Sequence, residues 1–293
     1  MALTDVTFDR IVPRRSGHPI WGPFVTTLRR AAWKLFGLNP AFERTHEQVA
    51  AMRLELEVAR LFHFRPGTLD HKIFQMVAIR NEYKLPDSFH SDDIILDVGA
   101  HIGSFCYAAL RRGSHRVYGF EADQNNYQLA AANLKPFGDR VRLCHCAVWR
   151  SDRKGDQLFG DAAPGYNTGG GSLLYNQDGQ QMEVSAFDDI LRDVTHNGRQ
   201  RVRLLKIDCE GAEYPILLTS SLLHLIDEIR GEYHEINDGA HNKDPIPAIA
   251  RIAGVERFTM PVLAEALQRA GFSVQSTHAG NTALGHFVAT RRL

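Results

Sequence analysis

IILDVGAHIGSF, residues 94–105, is the stretch that decides the fold. An apolar run through Ile94, Ile95, Leu96 and Val98 carries one acid, Asp97. Gly99 and Gly103 then frame a turn, and Ser104, a residue type suited to an N-cap, opens a helical run. A strand that passes through a glycine turn into a helix is the crossover unit of parallel α/β sheets. Ligands in such sheets sit beyond the carboxyl ends of the strands. A Cβ on Gly99 or Gly103 is expected to block the approach of a nucleotide-like ligand to the backbone. Amides exposed at the helix start favour an anion.

Outward from this stretch, β-rich runs alternate with helical ones from Asp93 onward. The pattern predicts strands over 94–98, 116–121, 141–148, 202–208, 228–234, 273–276 and 283–289, with helices over 104–112, 125–135, 214–223 and 260–270. Residues 155–179, rich in Gly, Asp and Asn and carrying NTGGGS at 167–172, read as a loop or irregular hairpin of the length that often has a function. Residues 182–191 read as a short strand running into a helix. The first 90 residues read mainly as helices, over 24–36, 43–62 and 69–80. The expected organisation is a helical extension or lid over 1–90 and one α/β domain over 91–293.

Composition narrows the class of partner. With 34 basic and 34 acidic residues in 293, no net field draws the chain onto nucleic acid or an anionic membrane, and a small molecule is the expected partner. The 44% apolar share is that of an ordinary globular domain. Cys106, Cys144, Cys146 and Cys209 sit in or beside apolar runs and read as reduced thiols. Cys144 and Cys146 share a strand face, but no second cysteine or histidine pair completes a zinc site. No secretory leader pattern and no run of about 18 apolar residues is seen, so a cytoplasmic chain without a membrane span is expected. Oligomeric state is not written in these residues.

The remaining motifs bear on chemistry. In RVYGFEAD, residues 116–123, Glu121 ends a strand about 20 residues after Gly103, where an acid accepts the ribose hydroxyls of an adenosyl group. A dinucleotide site needs G-x-G-x-x-G, whose middle glycine admits a pyrophosphate. Here Ala100, His101 and Ile102 separate the glycines, which favours S-adenosyl-L-methionine over NAD. LLKIDCEGAEY, residues 204–214, ends a strand in Asp208 and Glu210, whose acids are expected to face a sulfonium or the substrate. In GEYHEI, residues 231–236, Glu232 and His234 lie two apart and share one strand face. His234 is the expected general base because imidazole titrates near neutrality, with a strand-capping histidine as the bland alternative. Mg²⁺ held by Asp208, Glu210 and Glu232 is the less favoured reading.

At this point the chain resembles the FkbM family of S-adenosylmethionine-dependent methyltransferases. Its K-I-D-x-E-G-x-E segment is matched by Lys206, Ile207, Asp208, Glu210, Gly211 and Glu213, and DVGAHIGSF echoes the family's earlier motif. The resemblance spans residues 74–289. It implies a Rossmann-like class I methyltransferase fold, with a seven-stranded, mostly parallel sheet and a reversed final strand. The implied activity is methyl transfer, usually to oxygen and sometimes to nitrogen, in natural-product, sugar or lipid tailoring. The implied cofactor contacts are Asp97, Gly99, Ala100, His101, Gly103 and Ser104 at the methionine part, Glu121 and Ala122 at the ribose, and Cys146, Ala147 and Val148 at the adenine. Tyr83, in NEYKL at 81–85, is expected to close over the methionine part, and His234, Asp208 and Glu210 to serve catalysis. An NAD-dependent oxidoreductase and a non-catalytic adenosyl-binding module are the alternatives.

Overall fold

The computed structural model describes residues 62–153, 155–160, 165–172, 180–280 and 282–292. The helix expected over 24–36 lies outside these residues, as does all but the last residue of the one expected over 43–62.

All five residues of β1 (Ile94–Val98) are buried. The strand is flanked on both sides by parallel neighbours, β2 (Arg116–Glu121) and β8 (Val202–Ile207), and an unbroken apolar run is what such a central position requires. β3 (Val141–His145) continues the sheet beyond β2, and β9 (Glu228–His234) continues it beyond β8, both parallel. β11 (Leu284–Arg291) runs antiparallel to β9 and to β10 (Phe272–His278). The strand order β10-β11-β9-β8-β1-β2-β3, with its final strand reversed, is the expected Rossmann-like class I methyltransferase sheet.

Helices link these strands: α2 (Ser104–Arg111), α3 (Gln124–Leu134), α4 (Phe187–Val194), α5 (Glu213–Thr219) and α6 (Met260–Arg269), preceded by α1 (Asp70–Phe74). The helix expected over 69–80 is α1 continued by a π-helical turn, Gln75–Ile79. α3 starts where Asp123 accepts a hydrogen bond from the Asn126 amide at 2.7 Å, and α6 starts with Pro261 in its first turn. On one face of the sheet, Tyr214 of α5 stacks on Phe258 with ring centroids 4.8 Å apart.

The single strand expected over 141–148 is two. β3 stops at His145, opposite Glu121 at the end of β2, and loses its partner there. The chain breaks at Cys146 and re-forms as β4 (Ala147–Trp149), which pairs with β7 (Val184–Ala186) outside the main sheet. The segment expected to be a loop or hairpin rests on two antiparallel legs, β5 (Leu158–Gly160) and β6 (Gln180–Met182).

The two turn glycines answer to the protein itself. Gly99 has φ +80°, and a Cβ there would land on the Asp208 carbonyl oxygen at the end of β8. Gly103 has φ +89°, and its Cβ would lie 2.9 Å from Leu134 of α3. Whatever a side chain at these positions would do to a ligand, it would block packing of the turn against β8 and α3. Gly99→Ala should lower stability by at least about 3 kcal/mol, because positive-φ strain adds to a backbone collision. Urea unfolding of the two proteins measures the difference.

Candidate active site

Beyond the carboxyl ends of β1, β2, β8 and β9 lies a cavity of about 470 Å³. It sits where the sheet order reverses between β1 and β8. Of the residues expected at the site, Tyr83, Gly99, Ala100, His101, Ser104, Glu121, Ala122, Cys146, Ala147, Val148, Asp208, Glu210 and His234 line it. Asp97 and Gly103 do not. Asp97 is fully buried beneath the cavity floor, 3.1 Å from the Lys206 ammonium, and accepts a hydrogen bond from the Cys106 thiol at 3.2 Å. Lys206 also donates to the Gly99 carbonyl at 2.6 Å. Burial works against the Lys206 charge, but the Asp97 and Asp208 carboxylates outweigh it and hold the pKa above its ordinary value. The role expected of Asp97 is thus replaced by another: with Lys206 it braces the tip of β1 against β8.

Glu121 ends β2 at the cavity wall. Its carboxylate accepts the His101 amide at 2.6 Å and the Asp123 amide at 2.9 Å. A carboxylate has about four acceptor positions, so two amides leave room for further donors. Burial pushes its pKa up, against the pull of those same amides.

His101, in the turn after β1, has φ +51°. Its Nε2 lies 2.9 Å from the Thr168 hydroxyl and 3.5 Å from Asp70, which is fully buried. Asp70 also accepts from the Arg65 guanidinium at 2.9 and 3.0 Å and from the Thr168 hydroxyl at 2.6 Å. Asn126 closes the network, accepting from Arg65 at 2.8 Å and donating to the Thr168 carbonyl at 2.9 Å. Burial disfavours the Asp70 charge, yet these hydrogen bonds together hold its pKa well below the usual carboxylate range. Through this network, α1 and the NTGGGS segment form a side wall that supplies Leu69, Ile73, Met76, Asn167 and Gly169 to the cavity. Sequence reading missed Arg65, Asp70 and Asn126, and the glycine-rich run was the only signal for Thr168.

The opposite wall is acidic. The Tyr83 hydroxyl donates to Asp208 at 2.8 Å. His234, on the cavity face of β9, has Nε2 3.3 Å from Glu210 and Nδ1 3.4 Å from Glu213. Glu213 is itself fixed by accepting the Cys209 amide at 2.7 Å and the Gly211 amide at 2.9 Å. Asp208, Glu210 and His234 form the one group of metal-type donors among the described residues, with ligand atoms within 4.8 Å of one another. In this structure the imidazole of that group is turned to carboxylates.

The family profile described as "Methyltransferase FkbM domain" matches residues 97–273, more than half of the chain. The chain belongs to the FkbM methyltransferase family. No curated protein matches it. The N-terminal domain of EvdMO1, solved in the presence of SAH and D-fucose, is 16% identical at a TM-score of 0.42, over 85% of this chain and 100% of that one. Precorrin-6y C5,15-methyltransferase from Geobacter metallireducens GS-15 is 12% identical at 0.40, over 79% and 94%. An rRNA methylase from Streptococcus thermophilus is 11% identical at 0.38, over 78% and 98%. Likenesses this low bear neither on the activity of the FkbM chain nor on its fold, which rests on its own strand order and the family match.

In this FkbM protein the neutral-range titration expected of His234 is corrected by its surroundings. Burial favours the neutral ring, but the carboxylates of Glu213, Glu210 and Asp208 together outweigh it and push the pKa up to about 10. The ring therefore carries a proton at neutral pH and has no lone pair to act as a base. Glu210 moves the other way for a carboxylate, pushed up to about 7 by burial and by Asp208 and Glu213, against the pull of His234. A raised imidazole pKa stabilises the fold fully below about pH 6.5, and that contribution fades as pH rises through the folded value. The ¹⁵N shifts of the His234 ring should accordingly stay those of an imidazolium through pH 8.

Proposed function

We propose that this methyltransferase transfers a methyl group from S-adenosyl-L-methionine to a hydroxyl of a small molecule such as a natural product or sugar. The observation that carries the reading is the charge and shape of the cavity around Glu121. Its wall holds the carboxyl groups of Glu82, Glu121, Asp123, Asp208, Glu210 and Glu232 against the cations of Lys72, Lys206 and His234. That excess of acid suits a ligand bearing a positive sulfonium and disfavours a pyrophosphate. Its volume is in the range of about 300 to 1,000 Å³ usual for small-molecule sites. Ser104, at the start of α2, lines this cavity, and its buried hydroxyl has no hydrogen-bond partner among the described residues.

The residues present fit the donor. Glu121 would accept the ribose hydroxyls, Cys146, Ala147 and Val148 would edge the adenine, and Ala100 and Ser104 would meet the methionine part. Asp208 and Glu210 would stand near the sulfonium. When bound, the donor supplies an electrophilic methyl group. What the chain adds is alignment of acceptor and methyl, an effect that lowers a barrier by about 7 to 11 kcal/mol in well-oriented reactions. The acidic wall supports an oxygen acceptor over an amine, since clustered carboxylates favour the protonated, non-nucleophilic ammonium. Balanced net charge supports a small acceptor over nucleic acid. Among the described residues no helix is long and apolar enough to cross a membrane, and we place the activity in the cytoplasm.

Calorimetry with S-adenosylhomocysteine tests the donor site. The wild-type chain should bind it, and Glu121→Ala should weaken binding by about 1.5 to 3 kcal/mol, the worth of charge-assisted hydrogen bonds. Unchanged affinity would remove Glu121 from the ribose.

A further inference from the structure

We propose that Glu232 is the general base that takes the proton from the acceptor hydroxyl; this deepens, and rests on, the reading of the chain as an oxygen-directed methyltransferase. Along β9 the half-buried residues alternate as Arg230, Glu232 and His234, which share one face. Arg230 is committed to Glu228 and to the Tyr83 carbonyl. His234 lies between Glu210 and Glu213. Glu232 reaches the cavity between them.

Each of the other cavity carboxylates already has at least one protein partner, although acceptor positions remain open on them. Glu121 accepts two amides, and Asp123 caps α3. Asp208 accepts the Tyr83 hydroxyl, Glu210 pairs with His234, and Glu82 lies 3.7 Å from His286. Glu232 accepts no hydrogen bond and makes no ion pair among the described residues. A half-buried carboxylate with open acceptor positions on a ligand cavity has the geometry a base requires.

Its neighbours strengthen the assignment. Asp208 and Glu210 face it from the end of β8, Glu82 from the segment before β1, and His234 from β9. His286 stands directly across from it on β11. Burial, with the repulsion of Asp208, Glu210 and Glu82, pushes the carboxyl up to about 8 against the pull of His234. A carboxylate raised this far is a stronger base than an ordinary one once ionised, and it is fully available to act only as pH rises through about 8.

The step balances as follows. The acceptor O–H bond breaks, its proton passing to a Glu232 oxygen, while the electron pair left on the acceptor oxygen forms the new bond to the methyl carbon. The carbon–sulfur bond breaks, and its electrons stay on a sulfur that becomes a neutral thioether. His234 keeps its proton throughout.

The test uses the full-length chain, a tritium-labelled methyl donor and a panel of monosaccharides, phenols and primary amines. Glu232→Gln should hold S-adenosylhomocysteine within about twofold of wild type, while its single-turnover rate on a hydroxyl acceptor falls by about 10² to 10⁴. Glu232→Ala should regain part of its rate when formate is added, a rescue that a purely structural role would not give. A wild-type chain that labels a hydroxyl compound while Glu232→Gln keeps its rate and pH profile overturns the inference alone. Wild-type labelling confined to amines overturns both the inference and the reading beneath it.

Discussion

The seam between β1 and β8 is the constraint on which the rest of this molecule depends. The turn after β1 passes so near the end of β8 that only a glycine fits at position 99, facing the Asp208 carbonyl. Lys206, on the neighbouring strand, reaches across to bind the Gly99 carbonyl and to neutralise Asp97. A buried ion pair of this kind contributes little net stability, because desolvation offsets most of the attraction. Losing one partner is another matter, since the other charge is then stranded in the core. The pair therefore fixes the spacing of two strand tips, and every cavity residue on those tips inherits its position from it.

Electrostatics then divides the cavity in two. Around Glu121, backbone amides hold the carboxylate, and the wall includes the small residues Ala100, Ala122 and Ala147. Around β8 and β9, side chains of both signs crowd together, and protons rather than amides relieve the repulsion. A shift of one pKa unit corresponds to about 1.4 kcal/mol, so the displacement of His234 to about 10 represents several kcal/mol of interaction with its carboxylates. That is far above the worth of an exposed ion pair, and it determines that the imidazole is a resident cation.

The central strands of the main sheet were legible as short apolar runs set off by helical or glycine-rich stretches, and β1 alone indicated a central position. The break at Cys146 was not legible: VRLCHCAVW reads as continuous strand, and the chain leaves the sheet because β2 ends at Glu121, a fact about a different segment. In the site, period-two spacing placed Glu232 and His234 on one face. The protonation of His234 escaped sequence reading because it depends on Glu213, whose carboxylate folds back over the amides of its own turn. Asp70 and Thr168 are 98 positions apart and meet only in the folded chain, so no local pattern could have paired them.

That last meeting bears on how the wall moves. A glycine-rich segment at a protein surface ordinarily breathes at little energetic expense. Here the Thr168 hydroxyl is lodged against a carboxylate with no solvent exposure, one that keeps its charge only while Arg65 and its other donors stay in place. Lifting the segment away strips a donor from a sequestered anion, so thermal excursions of this side wall should be concerted and infrequent, with a rhythm set by the hydrogen bonds at Thr168 rather than by glycine content.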